Sequence, residues 1–210
     1  MTPLRRALFE PRRIALVGAS SDPSRLTARA QLYLRKHGFA GDILPVHPRE
    51  AEVLGERAYP SVADIPGPVD LAYILLNTRQ VESVVEAVAG KGIPVACVLA
   101  DGFAEAGPEG AALQERLVST ARAAGLRLLG PNSMGAVNLN ARIACSVNAA
   151  LEADELPSGR LALVSQSGSM MGALMSRGGG NRNVLVVATS QTPAFESFVQ
   201  CSLMEPECPM

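Results

Sequence analysis

Two short apolar runs in this chain each lead into a loop of small polar residues and then into a segment that favours a helix. Residues 14–17 precede the loop 18–24, and residues 161–164 precede the sequence Ser165-Gln166-Ser167-Gly168. The order strand, polar loop, helix directs free backbone N–H groups and the amino end of a helix at an anion, usually a phosphate. The chain is therefore predicted to contain two successive α/β units.

Further apolar runs, which are typical of buried strands, alternate with amphipathic segments. Residues 80–90 carry an apolar stripe with the i, i+3, i+4, i+7 spacing of a helix packed on a core, formed by Val81, Val84, Val85 and Val88. The predicted strands are 14–17, 43–46, 71–76, 94–99 and 126–129, and the predicted helices are 26–36, 80–90 and 108–124. This alternation, with short connections, predicts a mostly parallel, doubly wound α/β sheet.

Ligands of such sheets bind beyond the carboxyl ends of the strands. The loops expected at that edge are also the ones richest in Gly, Ser, Asn and Pro, namely 18–25, 46–49, 76–78, 100–105 and 130–135. The predicted binding site is therefore this set of loops.

The sequence becomes polar over residues 138–158, where we expect an irregular connection between two domains. The predicted boundaries are 1–145 for the first domain and 146–210 for the second. The second unit continues with a Met-rich helix to about residue 177 and a strand at 184–188, and then loses any clear period. A flavodoxin-like domain needs about 100–150 residues, so this second domain is expected to be incomplete, with an atypical tail.

Composition excludes several classes of function. The formal net charge of −1 gives no electrostatic basis for binding nucleic acid or an anionic membrane surface. Spanning a bilayer takes about 20 apolar residues, and we find no such run. The four cysteines form no CxxC pair and, with only two histidines, indicate no metal site. Reduced thiols and a cytoplasmic location are expected.

The first loop has alternative interpretations. It keeps only Gly18 of the three glycines in GxGxxG, which weakens a dinucleotide site without excluding it. The hydroxyls of Ser20, Ser21 and Ser24, together with Arg25, are suited to a phosphate instead. The structural alternative is a polar turn in which Ser24 caps the following helix.

The later loops are also open to two interpretations each. Arg49 favours a phosphorylated ribose, as in NADP or coenzyme A (CoA), or is only a solvated surface residue. Glu105 is either a general base or orienting carboxylate, or a favourable charge near a helix amino end. Residues 130–135 present N–H groups and the Asn132 amide to a ligand, or form a tight turn alone. His37 is predicted to cap a helix, whereas His47 is placed to touch a ligand.

Seven segments of the chain, taken in order, form a set: residues 8–20, Gly38-Phe39-Ala40-Gly41, Pro45-Val46-His47-Pro48, Tyr59-Pro60-Ser61-Val62, Gly102-Phe103-Ala104-Glu105, Gly130-Pro131-Asn132 and Ser165-Gln166-Ser167-Gly168. Together they resemble the corresponding segments of one family, the NDP-forming acyl-CoA synthetases, which include the succinyl-CoA synthetase alpha subunit and ADP-forming acetyl-CoA synthetase. The resemblance covers roughly residues 5–177.

The resemblance implies a Rossmann-like CoA-binding domain followed by a flavodoxin-like domain that shares the active site. It implies that CoA phosphates are held by Gly18, Ala19, Ser20, Ser21, Pro23, Ser24 and Arg25, and the nucleotide end by Val46, His47, Pro48 and Arg49. The pantetheine path is implied to be lined by Leu76, Asn77, Thr78, Gly102, Phe103 and Glu105. Asn132 and Ser133 are expected near the thiol, which makes Glu105, Asn132 and Ser133 the candidates for an active-site loop, and Ser165, Gln166, Ser167 and Gly168 are expected to bind a transferred phosphoryl group.

This sequence also departs from the family. No histidine follows His47, whereas the family's phosphorylated histidine lies in the second domain, and the ATP-grasp module is not found. We therefore expect CoA binding without the complete ligase cycle, with ATP, ADP and Mg²⁺ needed only by the complete enzyme. An ATP-grasp beta-type subunit is an expected partner, and self-association would follow from exposed apolar surface of an incomplete domain. The alternatives are a stand-alone CoA-binding or CoA-sensing module and an NADP-binding Rossmann protein.

Overall fold

A computed structural model describes residues 3–156, 163–165, 167–177 and 185–188. Its helices and strands, in chain order, are α1 (Pro3–Phe9), β1 (Arg13–Val17), α2 (Arg29–Lys36), β2 (Asp42–Val46), β3 (Glu52–Val53), β4 (Glu56–Arg57), β5 (Leu71–Ile74), α3 (Thr78–Gly90), β6 (Val95–Val98), α4 (Pro108–Ala123), β7 (Arg127–Leu129), β8 (Gly135–Asn138), β9 (Ile143–Ser146), β10 (Leu163–Ser165), α5 (Gly168–Arg177) and β11 (Leu185–Ala188). Short 3-10 turns lie at Leu26–Ala28, Val62–Asp64, Ala104–Ala106 and Ala149–Glu152.

Five of these strands form one parallel sheet in the order β2-β1-β5-β6-β7. Leu16 of β1 is paired with Pro45 on one side and with Tyr73 on the other. Chain connections run outward in opposite directions from β1 and β5, so the topological switch point lies between these two strands. The predicted doubly wound α/β sheet is confirmed.

Both faces of this sheet are buried, which is why its strands are apolar at successive positions rather than at alternate ones, apart from the charged first residues Arg13, Asp42 and Arg127. Ile14 and Leu16 of β1 join a core that also contains side chains of α1 and α2. Ala15 and Val17 point the other way, into a core with side chains of α3 and α4. The sheet is therefore the middle layer, and its edges are where loops are free to bind a ligand.

A second sheet has the strand order β10-β11-β8-β9. β8 and β9 form an antiparallel hairpin, and β8 also pairs antiparallel with β11. The prediction of an irregular connection over 138–158 was therefore wrong for β9. Ile143 and Cys145 alternate with Ala144, so that β9 contributes to the core of the first sheet and to a separate cluster with Tyr33 and Met171. The domain boundaries at 145 and 146 remain predictions.

Helix α2 is fastened to the segment after β9 by polar contacts along one face. The Tyr33 hydroxyl donates to Glu152 at 3.1 Å, and Arg29 lies 3.4 Å from the same carboxylate. Burial, reinforced by the Glu152 contact, raises the pKa of Tyr33 to about 12, so the phenol remains a donor. His37 ends α2 as predicted, and its Nε2 lies 2.8 Å from the Leu151 carbonyl oxygen.

The described thiols, Cys97 and Cys145, are free and buried, and their reduced state in the cell stays a prediction. Burial raises the pKa of Cys97 to about 12 and shifts that of Cys145 in the same direction. Cys201 and Cys208 lie outside the described residues. Within the part of the chain that the structure describes, no helix is both long and apolar enough to cross a membrane.

Gly110 of α4 allows a test of the close packing between α4 and the loop after β6. A Cβ at this position would lie 2.0 Å from the carbonyl oxygen of Phe103, so Gly110→Ala is expected to destabilise the protein by about 1–3 kcal/mol through overpacking. Urea unfolding followed by circular dichroism measures this change. Gly90→Ala, in α3, is the matched control because nothing lies within 4 Å of its added methyl group. The control should be neutral or stabilising by up to about 1 kcal/mol, and equal behaviour of both variants would contradict the close packing of α4 on Phe103.

Candidate functional site

The predicted loops meet at the carboxyl edge of the parallel sheet and are joined there by direct hydrogen bonds. Gly18 N–H donates to the Val46 carbonyl oxygen at 3.0 Å, and the Ser21 hydroxyl donates to Glu50 at 3.0 Å, so the loops after β1 and β2 are tied together. Glu50 was not among the predicted residues. An acidic residue just after a strand-end loop was the available signal.

Gly18 is required by packing between the loops after β1 and β5. Its φ is +89°, a conformation that favours glycine. A Cβ there would lie 2.6 Å from Cδ2 of Leu76 and 3.1 Å from the Leu75 carbonyl oxygen. Gly18 therefore brings these two loops into contact at the switch point, where an open α/β sheet binds its ligand.

The remainder of the first loop is organised around Asp22. Its carboxylate accepts from the Ser24 amide at 2.9 Å and the Ser24 hydroxyl at 2.7 Å, while its own N–H donates to Ser20 Oγ at 3.1 Å. Hydrogen bonds from Ser24, with a smaller contribution from Arg25, lower the pKa of Asp22 below its ordinary value. Ser24 does not cap the helix, because Arg25 precedes the 3-10 turn and no side-chain cap is made. The predicted cap was therefore wrong, whereas the polar turn of that alternative is present.

Three successive N–H groups of this loop lack a partner among the described residues, and two of them belong to residues that an external acceptor can reach, because Ser20 and Ser21 are at least partly exposed whereas Ala19 is fully buried. Those of Ala19, Ser20 and Ser21 donate to no acceptor within the residues that the structure describes. Arg25 is exposed and lies 3.6 Å from Asp22, close enough to offset the charge of that carboxylate. A run of free N–H groups before a helical turn suits an anion.

The loop after β2 is shaped by His47 and exposes Arg49. The imidazole Nδ1 of His47 accepts from Glu50 N–H at 3.1 Å, and its Nε2 lies 3.7 Å from the Glu50 carboxylate. Pro48 and Arg49 are exposed. No ion pair of the Arg49 guanidinium is made with any residue in the described ranges, so it is free for a ligand.

The loops after β5 and β6 are joined by Thr78, whose hydroxyl donates to the Asp101 carbonyl oxygen at 2.6 Å. Glu105 accepts from the Gly102 N–H at 2.7 Å and thus closes its own loop. The Phe103 side chain is fully buried beneath that loop, whereas Asn77 and Glu105 are exposed. The Glu105 side chain is exposed at this edge, and its role as a base stays a prediction.

The loop after β7 separates the two residues that the sequence grouped together. Asn132 is exposed, has a φ of +57°, and donates its N–H to the Ala100 carbonyl oxygen at 2.7 Å. Ser133 is fully buried, and its hydroxyl oxygen accepts from the Cys97 thiol at 3.3 Å. Of the two side chains, only that of Asn132 faces the solvent at this edge.

The second polar loop precedes helix α5. Ser165 Oγ accepts from Ser167 N–H at 3.1 Å, and Ser167 Oγ accepts from Met170 N–H at 3.3 Å. Asn148, which sequence reasoning missed, donates to the Gly168 carbonyl oxygen at 3.2 Å and is 5% exposed. Gln166 lies outside the described residues. The loop leads into the amino end of α5 as predicted, and its phosphate-binding role stays a prediction.

A separate groove of about 500 Å³ lies at the opposite edge, beside the amino ends of β1 and β2. Its wall includes Arg13 and Asp42, which are paired at 2.9 Å, and Phe39. None of the predicted site residues lines it. Among the described residues, no group of three or more His, Cys, Asp or Glu is placed to hold a metal ion.

The Asp22 turn can be tested by titration. Ser24→Ala removes the hydroxyl that contributes most to lowering the pKa of Asp22, so this pKa is expected to rise toward its ordinary value of 3.8. At a pH above the pKa of Asp22, the ionised carboxylate stabilises the turn. This stabilisation is lost as the pH falls through that pKa. Carboxyl carbon shifts measured by NMR against pH report the change. Asp154, whose pKa is lowered by Lys36, is the internal control and should not move. An unchanged Asp22 pKa would contradict the hydrogen-bonded turn.

Comparison with known proteins identifies this arrangement. The sequence model of the CoA binding domain family matches residues 12–138. The "Acetate--CoA ligase [ADP-forming] I subunit alpha" of Pyrococcus furiosus is 38% identical over 173 residues, which are 80% of this chain and 37% of that protein. The "4-hydroxybutyrate--CoA ligase [ADP-forming]" of Nitrosopumilus maritimus is 32% identical over 80% of this chain and 24% of its own length.

Solved structures agree with the sequence comparison. The apo form of the "dinucleotide forming Acetyl-coenzyme A synthetase 1" of Ca. Korarchaeum cryptofilum superposes with a TM-score of 0.81 and 32% identity, covering 97% of this chain and 44% of that one. The chain spans less than half the length of each of these relatives. The resemblance noted in the sequence is thus confirmed, and the chain belongs to the ADP-forming acetyl-CoA synthetase family, of which it contains the CoA-binding domain.

Proposed function

We propose that this chain binds CoA at the carboxyl edge of its parallel sheet and serves as the CoA-binding portion of an NDP-forming acyl-CoA synthetase. The observation that carries the proposal is the pair of unpaired, accessible N–H groups at Ser20 and Ser21, placed at the switch point of a sheet whose family binds CoA. The diphosphate of CoA is the anion suited to such a pair.

The chemical groups of CoA match the loops one by one. Arg49 carries an exposed positive charge beside β2, where a ribose phosphate is recognised in related sheets. Leu76, Asn77 and Thr78 then follow with Gly102, Phe103 and Glu105 along the path assigned to pantetheine. Thr78 joins these two loops through the Asp101 carbonyl oxygen, so the two sides of this path are hydrogen-bonded to each other. Asn132, exposed at the end of β7, is assigned to the thiol end.

The electrostatics of the first loop favour this assignment. The Asp22 carboxylate would repel a phosphate if it were free, but it accepts two hydrogen bonds from Ser24 and is offset by Arg25. The ligand is then held by backbone N–H groups, which carry no counter-charge and need no side-chain ordering on binding. Arg49 supplies the unpaired positive charge.

In the reaction assigned to the complete enzyme, the CoA sulfur attacks the carbonyl carbon of an acyl phosphate. The sulfur–carbon bond forms, the carbon–oxygen bond to phosphate breaks, and the thiol proton must be removed. Glu105 is the exposed carboxylate of this edge that we assign to that proton or to orienting the thiol. Ser165, Gln166, Ser167 and Gly168 are assigned to the phosphate that this cleavage releases and that supplies the transferred phosphoryl group in the reverse reaction, since Ser165 and Ser167 shape a loop at the amino end of α5.

The ATP-dependent step is assigned outside the described residues. Phosphoryl relay through histidine needs a free imidazole, whereas His37 lies against the Leu151 carbonyl oxygen and His47 accepts from the Glu50 N–H. The Pyrococcus relative is itself an alpha subunit. We therefore assign ATP, ADP and Mg²⁺ binding to a beta-type ATP-grasp partner or domain, which makes CoA binding the function of this chain that is testable alone.

Calorimetric titration of the purified 210-residue chain with CoA is the first test. Saturable binding of CoA, with no binding of NAD or NADP, is expected because the first loop lacks the second glycine that a dinucleotide needs for close approach. Binding of NADP in preference to CoA would replace this proposal with the dinucleotide alternative. Failure of a folded chain to bind either ligand would leave the family relationship as a matter of architecture alone.

Arg49 gives a sharper test of ligand orientation. Arg49→Gln is expected to weaken CoA binding about 10-fold, because a charge-assisted hydrogen bond to phosphate is lost at an exposed site. Affinity for 3′-dephospho-CoA should not change, since this ligand lacks the phosphate that Arg49 is proposed to contact. Arg122→Gln, an exposed arginine near the end of α4, is the matched control. Equal loss for both ligands would place Arg49 elsewhere along CoA.

A further inference from the structure

A polar cluster lies buried beneath the loop that follows β7. The Tyr73 hydroxyl, from β5, donates to the Ser133 carbonyl oxygen at 3.2 Å, and the Cys97 thiol, from β6, donates to Ser133 Oγ at 3.3 Å. Gly135 N–H lies 3.4 Å from the same oxygen. Tyr73, Cys97 and Ser133 are each at most 1% exposed. The backbone and the side chain of one serine are thus both held from below by neighbouring strands.

Burial keeps the two donor groups protonated and makes the loss of either hydrogen bond energetically costly. It raises the pKa of the Tyr73 phenol well above its usual value and that of the Cys97 thiol to about 12, so both groups keep their protons and remain donors at neutral pH. A buried polar atom that loses its partner incurs the full desolvation penalty. Positions of the loop in which Ser133 loses either donor are therefore disfavoured in free energy.

We propose that Tyr73 and Cys97 are positioning residues for CoA binding, which act through Ser133 to hold Asn132 at the carboxyl edge. Ser133 is then an internal anchor that does not touch the ligand, and Asn132 is the residue presented to it. This inference rests on the proposed function for the identity of the ligand.

The geometry of the adjacent residues supports this division of roles. Ser133 N–H donates to the Val98 carbonyl oxygen at 2.9 Å, and Asn132 N–H donates to that of Ala100 at 2.7 Å. These backbone bonds hold the loop against the carboxyl end of β6, whereas Tyr73 and Cys97 contact Ser133 from the buried core beneath the loop. Asn132 has a φ of +57°, which is unusual for a residue other than glycine and needs support from its surroundings.

The test compares loss of each donor with loss of a neighbouring thiol that makes no such contact. Tyr73→Phe and Cys97→Ala are each expected to weaken CoA binding about 3- to 10-fold, as the loss of one buried hydrogen bond predicts. Cys97→Ser keeps a donor and should restore affinity, which a packing role alone does not predict. Cys145→Ala is the matched control, because Cys145 is equally buried in the same core, and its affinity for CoA should match that of the wild type.

Amide hydrogen exchange of residues 130–135 gives a second measurement that needs no ligand. The amides of this loop are expected to exchange faster in Tyr73→Phe and Cys97→Ala than in Cys145→Ala. The variants are compared at urea concentrations that give each of them the same global free energy of unfolding. If the wild type binds no CoA, the proposed function fails, while this exchange comparison still decides whether the cluster anchors the loop. Exchange and affinity that are the same in all three variants would overturn the anchor, as would failure of Cys97→Ser to recover what Cys97→Ala loses.

Discussion

The rest of this molecule depends on β1 being hydrogen-bonded on both sides and buried on both faces. Its side chains from Ile14 to Val17 are at most 3% exposed, and its two ladders to β2 and β5 leave it no alternative register. A one-residue slip would exchange the two cores and place the wrong side chains in each. Because β1 cannot slip, the position of Gly18 and of the N–H groups after it is set by the sheet rather than by the loop itself.

Most side chains that the sequence proposed for the ligand are engaged in holding their own loops. Ser24 closes the first loop through Asp22, His47 closes the second through Glu50, and Glu105 closes the loop after β6 through Gly102. What these contacts leave available is the backbone N–H run, Arg49 and Asn132. The loops of such a site are already ordered when the chain has folded, so little conformational entropy remains to be lost when a ligand binds.

The sequence sufficed for the sheet and for the loops at its carboxyl edge, because apolar runs and turn residues are local signals. It failed where a residue's role depends on a distant partner. Ser24 is a residue type that often caps helices, yet its hydroxyl donates a hydrogen bond to Asp22 instead. Tyr73 and Cys97 fit an apolar strand, and only their contact with Ser133, at least 36 residues away in sequence, reveals their polar role. β9 lacked a strong pattern because it is buried between two cores.

The burial of Cys97 has a consequence for a protein proposed to hold a thiol ligand. Thiol–disulfide exchange proceeds through the thiolate, and a pKa of about 12 leaves Cys97 almost entirely protonated at neutral pH. The sulfur is also shielded from solvent by the loop above it. Cys97 would therefore not react with disulfide forms of CoA. The contact between Cys97 and the loop after β7 is thus protected against mixed-disulfide formation.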